Sequence, residues 1–204
     1  MVRIALLLSA GSAMAREAII VDHTATDLEK VPAAAIAKAG KTLKIAYGHT
    51  SHGSQIVSGM EALRQSDPAR FAFGRSGDGL SFWDATPSGD LGNPDRTSWA
   101  ARTREFLNGP GRDRNVIVWS WCGQAGTATE QDIRTYLELM DRLEKEFPKV
   151  TFVYMTGHLD GSGKNGNLNR RNEQIRAFCR ANGKVLFDFA DIESFDPDGK
   201  VNYM

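Results

Sequence analysis

Two apolar segments on either side of an amphipathic helix pattern constrain the fold more than any other part of the sequence. Residues 115–121 and 150–155 are continuous apolar runs of the length of strands, as found in sheets that are covered on both faces. Between them, Thr129 and Asp132 have the spacing of a capping box, an apolar stripe follows at helical periodicity, and Pro148 ends the helix. A strand–helix–strand unit of this kind predicts a right-handed crossover in a parallel sheet.

The rest of the chain continues this alternation. Predicted strands cover residues 44–47, 80–84 and 185–189, and predicted helices cover 33–39, 55–63, 97–107 and 169–181. Gly40 is expected to stop the first helix, and residues 18–22 are a short apolar lead-in. Apart from the strand at 80–84, residues 67–95 are predicted to be loop, because they are rich in Gly, Pro, Asp and Ser.

Composition limits the classes of molecule that this chain is expected to bind. A chain of 204 residues with 41% hydrophobic content fits one globular domain. Its 25 basic residues balance 25 acidic residues, so no overall field favours nucleic acid or an anionic membrane. We expect a small-molecule or saccharide substrate, no nucleic-acid partner, no membrane association of the mature chain, and no metal or other cofactor.

The N-terminal residues resemble an export signal. Arg3 precedes a short apolar core at 4–8, and Ala13 and Ala15 are the small residues that a signal peptidase requires. This pattern predicts a signal peptide at 1–15, a mature domain at 16–204, and a secreted or periplasmic location; the alternative is a first strand of the domain. In an oxidising compartment Cys122 and Cys179 could form one bridge, but two buried free thiols are the expectation.

Segments that contain side chains suited to catalysis or binding follow the predicted strands. They are residues 48–54, the loop around 84–93, residues 121–124 and residues 156–160. Because the carboxyl ends of parallel strands meet at one edge, where the ligand crevice of such sheets lies, we expect these segments to form a shared active site. Tryptophans at 83, 99, 119 and 121 either belong to the core, which is the default for strand positions, or line a sugar-binding cleft.

Ser51 is the preferred nucleophile. It lies in a strand-to-helix turn, where amide groups at a helix N-terminus stabilise developing negative charge. The alternatives are that Ser51 only caps the helix, or that Ser54 is the nucleophile. His49 and His52 flank the turn as bases, substrate contacts or structural imidazoles, and we expect His49, His52, Ser54 and Asp160 to contact the substrate.

Two further segments can complete the chemistry. The side-chain amide of Gln124 either donates to an oxyanion, together with the Ser51 amide, or faces solvent. Gly92, in preference to Gly89, can supply a second backbone donor to the same oxyanion. His158 directly follows a predicted strand and is the candidate general base.

The loop at 160–167 does not fit two common ligand motifs. A phosphate-binding loop would need Gly where His158 stands and Ser or Thr where Asn165 stands. An oxygen-rich cation loop would lack its closing glutamate.

Four segments of this chain resemble the SGNH/GDSL hydrolase superfamily, specifically a divergent branch with a His-rich turn. They are the Gly-x-x-Ser-x-Gly turn at 48–53, the Gly-containing second loop, the Gly-Gln ending of the strand at 115–121, and the segment at 187–199. The resemblance implies a three-layer α/β/α sandwich with a mostly parallel, flavodoxin-like sheet. It also implies hydrolysis of an ester, often an acyl group on a carbohydrate, through an acyl-serine intermediate. By the same analogy, Ser51 is nucleophile and first oxyanion donor, Gly92 is the second donor, and Gln124 replaces the usual Asn.

This chain departs from that superfamily in two ways. The Gly-Asp-Ser triplet is replaced by residues 48–51, and no His follows His158, although the superfamily carries a catalytic Asp and His after its last strand. We expect the domain to lack that C-terminal catalytic block; otherwise His158 has been recruited as base, or hydrolysis has been lost. Two functions therefore remain: a secreted serine esterase, or a catalytically silent carbohydrate-binding module of the same fold.

Overall fold

A parallel sheet of seven strands forms the centre of the computed structural model, which describes residues 16–204. The strands are β1 (Ile19–Val21), β2 (Lys44–Gly48), β3 (Phe73–Gly74), β4 (Leu80–Trp83), β5 (Val116–Trp119), β6 (Thr151–Met155) and β7 (Val185–Phe187). Their spatial order is β1-β7-β6-β5-β2-β4-β3, and every neighbouring pair is parallel. The five inner strands, counted from β2, follow the order 2-1-3-4-5 of flavodoxin-like sheets.

Helices cover both faces of this sheet. They are α1 (Ala33–Thr42), α2 (Ser54–Ser66), α3 (Ser98–Asn108), α4 (Gln124–Thr127), α5 (Glu130–Glu146), α6 (Asn167–Ala181) and α7 (Phe189–Ser194). With right-handed crossovers, α3, α5 and α6 connect strands in one direction and share a face, whereas α1 and α2 connect in the other direction and share the opposite face. Contacts of α5 with α3 and α6 agree with this arrangement. The predicted three-layer α/β/α sandwich is therefore confirmed.

The core is concentrated under α3, α5 and α6. Trp99, Trp119 and Trp121 are fully buried, and Tyr136 of α5 packs against Trp121 edge to face with ring centres 5.1 Å apart. The predicted capping box of α5 is present, and its apolar stripe is buried. The buried tryptophans confirm the core interpretation, while Trp83 is half-buried with the guanidinium groups of two arginines over its ring.

Several elements differ from the sequence predictions. The prediction that Gly40 stops α1 is wrong, because a single glycine weakens a helix without ending it, and α1 continues to Thr42. The lead-in at 18–22 contains strand β1, and the loop at 67–95 contains the short strand β3. The last strand ends before Asp188, whose side chain accepts the amide of Asp191 and starts α7.

Two other expectations concern the chain as a whole. Cys122 and Cys179 are both free thiols, as expected, but only Cys179 is buried as predicted, and Cys122 is half-buried. The signal peptide expected at 1–15 lies outside the described residues. Within residues 16–204, no helix has the length and apolar character needed to cross a membrane.

Candidate functional site

The predicted site residues lie at the C-terminal edge of four adjacent strands. In the order β6-β5-β2-β4, these strands are followed by His158, by Cys122 and Gln124, by the Ser51 turn, and by the loop that contains Asp90. The strand order reverses between β2 and β5, since the chain leaves β2 toward β4 and leaves β5 toward β6. Ligand crevices of open parallel sheets form outside the strand ends at such a switch point.

Two glycines shape the turn after β2. A Cβ atom on Gly48 would lie 2.6 Å from the ring of Trp119, and one on Gly53 would collide with Cβ of His49. The buried hydroxyl of Tyr47 then donates to the Gly53 carbonyl at 3.1 Å and holds the turn closed. Both glycines of the Gly-x-x-Ser-x-Gly pattern are thus required by close packing.

Ser51 lies at the most strained point of this turn. Its φ of +22° is unusual for a residue with a side chain, and the residue is exposed. It is the first residue of a 3-10 turn at Ser51–Gly53, whose N-cap is Thr50, and α2 has Gly53 at its N-cap. Ser51 therefore occupies neither N-cap position. Ser54, the other candidate nucleophile, is the exposed first residue of α2.

A buried carboxylate joins three of the loops. Asp90, only 9% exposed, accepts the hydroxyl of Thr50 at 3.1 Å, the side-chain amide of Gln124 at 3.0 Å and the backbone amide of Gly92 at 3.1 Å. The Gly92 amide, expected to face an oxyanion, is thus donated to Asp90 in this structure. Gln124 keeps a second amide hydrogen, and its Oε1 is buried without a partner among the described residues.

His49 forms a separate pair with Asp84 at the end of β4. Its Nε2 lies 2.7 Å from Asp84 Oδ1, and its Nδ1 lies 3.3 Å from the Thr50 carbonyl. The ring also stacks on Tyr47 with centres 4.5 Å apart. Both ring nitrogens of His49 are thus directed at other oxygen atoms, so neither is placed to accept a proton from Ser51 in this arrangement.

His52 and His158 bring the turn after β2 together with the loop after β6. Their rings stack with centres 3.6 Å apart and planes 13° from parallel. His52 Nδ1 also lies 3.8 Å from the sulfur of Cys122, which follows β5. Three strand ends therefore meet in one cluster of two imidazoles and a thiol.

The surroundings of His158 fix its tautomer. Nδ1 lies 2.7 Å from the Leu159 carbonyl, which can only accept, so Nδ1 carries a hydrogen and Nε2 of the neutral ring is an acceptor. This Nε2 is buried and has no partner among residues 16–204. The Leu159 amide is held in turn by the Glu193 carboxylate of α7 at 2.9 Å.

Buried polar side chains anchor the loop that carries His158. Asn172 of α6 accepts the Gly157 amide and donates to the Gly157 carbonyl. One residue earlier, the Thr156 hydroxyl donates to Asp188, which forms a buried bidentate pair with Arg176. The position of the imidazole is therefore set by α6 and α7 rather than by the loop alone.

Asp160 is exposed in the loop after β6. Burial favours a higher pKa for this carboxyl, but hydrogen bonds from Ser162 and the nearby His158 outweigh it and lower the pKa below its usual value. The carboxylate also faces the backbone of Gly126, where a Cβ atom would lie 2.9 Å away. Asp160 thus places a negative charge beside α4.

One group of possible metal ligands occurs among the described residues, and it lies away from this crevice. Asp22, His23 and Asp191 come together where β1 and β7 end, at the far edge of the sheet. His23 Nδ1 and Asp191 Oδ1 are 2.5 Å apart, and Asp22 accepts the Thr24 amide as a cap. These bonds attach the N-terminal strand to α7 and explain the group without an ion.

Sequence reasoning did not identify Asp84 and Asp90 individually. Both belong to the polar loop expected after the strand at 80–84, but a loop rich in Asp gives no spacing rule that selects one carboxylate. Their partners, His49 and Gln124, are 35 and 34 residues away in sequence. The only available signal was that this loop follows a strand adjacent to the Ser51 turn.

No family model matches this chain, and no curated protein matches it either. Among solved structures, the fold is similar to that of an acetyl xylan esterase, AlAXEase, at 11% sequence identity and a TM-score of 0.45, with 74% of this chain and 81% of that chain covered.

Proposed function

We propose that this protein is a serine ester hydrolase in which Ser51 attacks the ester carbonyl and forms an acyl-serine intermediate. The observation that carries the proposal is the position of Ser51: exposed, at φ +22°, beside the switch point of the sheet and next to the stacked pair of His52 and His158. A strained residue at a strand-to-helix turn is the usual setting of a nucleophile in α/β hydrolytic sites.

His158 is the proposed general base. Its Nε2 is an acceptor without a partner among residues 16–204, so it can take the proton of the Ser51 hydroxyl when the two groups come within hydrogen-bonding distance. As the Ser51 oxygen attacks, its proton passes to Nε2, and the same proton then goes to the leaving alcohol. Water, activated by the same imidazole, releases the acid and restores the serine.

The developing oxyanion needs donors near Ser51. The Ser51 amide opens a 3-10 turn, where no carbonyl of the turn can accept it. The free amide hydrogen of Gln124 is the proposed second donor, because the bond to Asp90 fixes the side chain and leaves one hydrogen unused. The Gly92 amide becomes a third donor only if its bond to Asp90 opens.

The proposed substrate is an acylated saccharide or a related small ester, following the resemblance of the turn and loops to SGNH/GDSL hydrolases. We place the enzyme outside the cytoplasm on the pattern of residues 1–15 alone. The alternative, a silent carbohydrate-binding module, would need exposed aromatic faces, and Trp99, Trp119 and Trp121 are buried.

Hydrolysis of p-nitrophenyl acetate tests the proposal. Ser51→Ala should lower kcat by on the order of 10³-fold or more, because the covalent route is lost. Ser58→Ala, an exposed serine of α2, is the matched control and should retain wild-type activity. The proposal is contradicted if the wild-type protein has no activity, or if Ser51→Ala still releases p-nitrophenol at the wild-type rate. If only Ser54→Ala loses activity, the nucleophile is Ser54 instead.

A pH profile separates the base from other roles. If His158 accepts the serine proton, kcat/KM of the wild type rises with pH to a plateau, and His158→Gln removes that rise as well as most of the rate. A profile of unchanged shape in His158→Gln would reject His158 as the base.

A further inference from the structure

Cys122 has no role in the proposed hydrolysis, but its surroundings favour a reactive thiol. It directly follows the β5 side of the switch point, is half-buried rather than enclosed, and its sulfur lies 3.8 Å from His52 Nδ1. A thiol becomes a strong nucleophile when an adjacent base takes its proton. The imidazole of His52 is such a base.

A second imidazole extends this pair. His158 is 9% exposed, stacks on His52 at 3.6 Å, and holds a buried Nε2 that has no partner in the described chain. This Nε2, which the proposed hydrolysis uses as a proton acceptor, can also accept a hydrogen bond from a small molecule that enters the cluster. The cluster therefore combines a thiol, a base in contact with it, and an acceptor suited to a small hydroxylic ligand.

We propose that Cys122 is a modification site, where a hydroperoxide oxidises the thiol to a sulfenic acid. The thiol proton passes to His52 Nδ1, and the sulfur attacks one peroxide oxygen as the O–O bond breaks. The leaving hydroxide takes the proton back from His52 and departs as water. The sulfur is oxidised by two electrons and the peroxide is reduced by two, so one thiol and one hydrogen peroxide give one sulfenic acid and one water.

The second cysteine of the chain provides an internal reference. Cys179 is 0% exposed in α6, and burial raises the pKa of its thiol to about 12. It is enclosed by the core and should stay unmodified as long as the protein is folded. Any difference between the two thiols thus comes from their positions in one molecule under one set of conditions.

The test is thiol labelling followed by peptide mass spectrometry at about pH 7, where ordinary thiols are mostly protonated and an ordinary imidazole is mostly neutral. In the folded protein, iodoacetamide should alkylate Cys122 at least about 10-fold faster than the same residue reacts in urea-unfolded protein, and Cys179 should not react. Hydrogen peroxide followed by dimedone should mark Cys122 alone. A folded rate no higher than the unfolded rate shows an exposed but ordinary thiol and overturns the proposal.

The role of His52 has its own control. His52→Gln should slow alkylation of Cys122 by about 10-fold while Cys179 stays protected, and that protection also shows that the variant is folded. Ser51→Ala should label like the wild type even though the proposed hydrolysis is lost, so the two proposals fail separately. An unchanged Cys122 rate in folded His52→Gln would remove the imidazole from the reaction and contradict the proposal.

Discussion

At the scale of single residues, Asp90 organises the candidate site. Its two carboxylate oxygens accept three hydrogen bonds that come from the loops after β2, β4 and β5. A nearly buried carboxylate is stabilised only when donors surround it. Asp90 therefore positions Gln124 and the turn that carries Ser51.

Asp90→Asn is expected to disrupt this arrangement. Asn offers one oxygen and an NH₂ group, so the NH₂ group would face either the Gly92 amide or the donors of Thr50 and Gln124. Leaving such buried groups unsatisfied costs about 1–3 kcal/mol in the free energy of unfolding, and hydrolysis should fall with it. Urea denaturation and the p-nitrophenyl acetate assay measure the two effects.

The matched control is Asp78→Asn, an exposed aspartate in the segment between β3 and β4. Its free energy of unfolding should stay within about 0.5 kcal/mol of the wild type. If Asp90→Asn behaves like Asp78→Asn in both assays, the positioning role of Asp90 is refuted.

How far the site could be predicted depends on how each residue is marked in the sequence. Ser51 and His158 could be proposed because each directly follows an apolar run, and parallel strands bring such positions to one edge. Asp90 and the stacking of His52 on His158 could not, because they depend on how long loops fold over the sheet. Polar loops have no periodicity from which these contacts could be inferred.

At the scale of elements, periodicity explains both the correct and the missed predictions. α5 has a capping box and a regular apolar stripe, and β5 and β6 are continuous apolar runs, so these elements were predicted almost to their ends. β1 and β3 have three and two residues, and runs of that length show no period. They form because β7 and β4 provide backbone partners along the sheet edge.

At Gly48, the packing of β5 limits the size of the side chain that the end of β2 can carry. Gly48 ends β2 against the buried ring of Trp119 on β5, and a Cβ atom would lie 2.6 Å from that ring. Because Trp119 is enclosed by the core, Gly48→Ala should lower the free energy of unfolding by about 1–3 kcal/mol. Thermal or urea denaturation followed by circular dichroism gives this value.

At Gly59, in the helix that follows, we expect substitution by Ala to raise the free energy of unfolding instead of lowering it. Gly59 lies in α2, and a methyl group added there would meet no atom within 4 Å beyond its own helix backbone, so Gly59→Ala should stabilise the protein by up to about 1 kcal/mol. Equal effects of the two substitutions, in sign and size, would show that close packing at Gly48 does not limit the strand end.

At the scale of the whole molecule, ion pairs and caps hold several aspartates in their charged form. Hydrogen bonds from Arg114 and Lys44 lower the pKa of Asp113 from 3.8 to about 2. The pKa of Asp132 is lowered by the Thr129 amide in the α5 capping box. These carboxylates bind protons less readily in the folded chain than in the unfolded chain.

The sign of the resulting pH dependence follows from this difference. Between about pH 4 and pH 2 the unfolded chain binds more protons than the folded one, so the free energy of unfolding falls as the pH falls. The contribution of these groups is complete above the unfolded pKa of 3.8 and is lost as the pH passes through the folded value, about 2 for Asp113. We therefore expect urea midpoints that are nearly constant from about pH 7 to pH 5 and then decline toward about pH 2.

Asp113→Asn isolates one part of that decline. The variant should be slightly less stable at about pH 7, because Arg114 and Lys44 lose a partner, and its stability should depend less steeply on pH between about 4 and 2. Ser58→Ala, which carries no titrating group, should keep the wild-type slope. Parallel curves for the wild type and Asp113→Asn would mean that this carboxylate has the same proton affinity in both states, and the acid sensitivity would then have to come from the other aspartates.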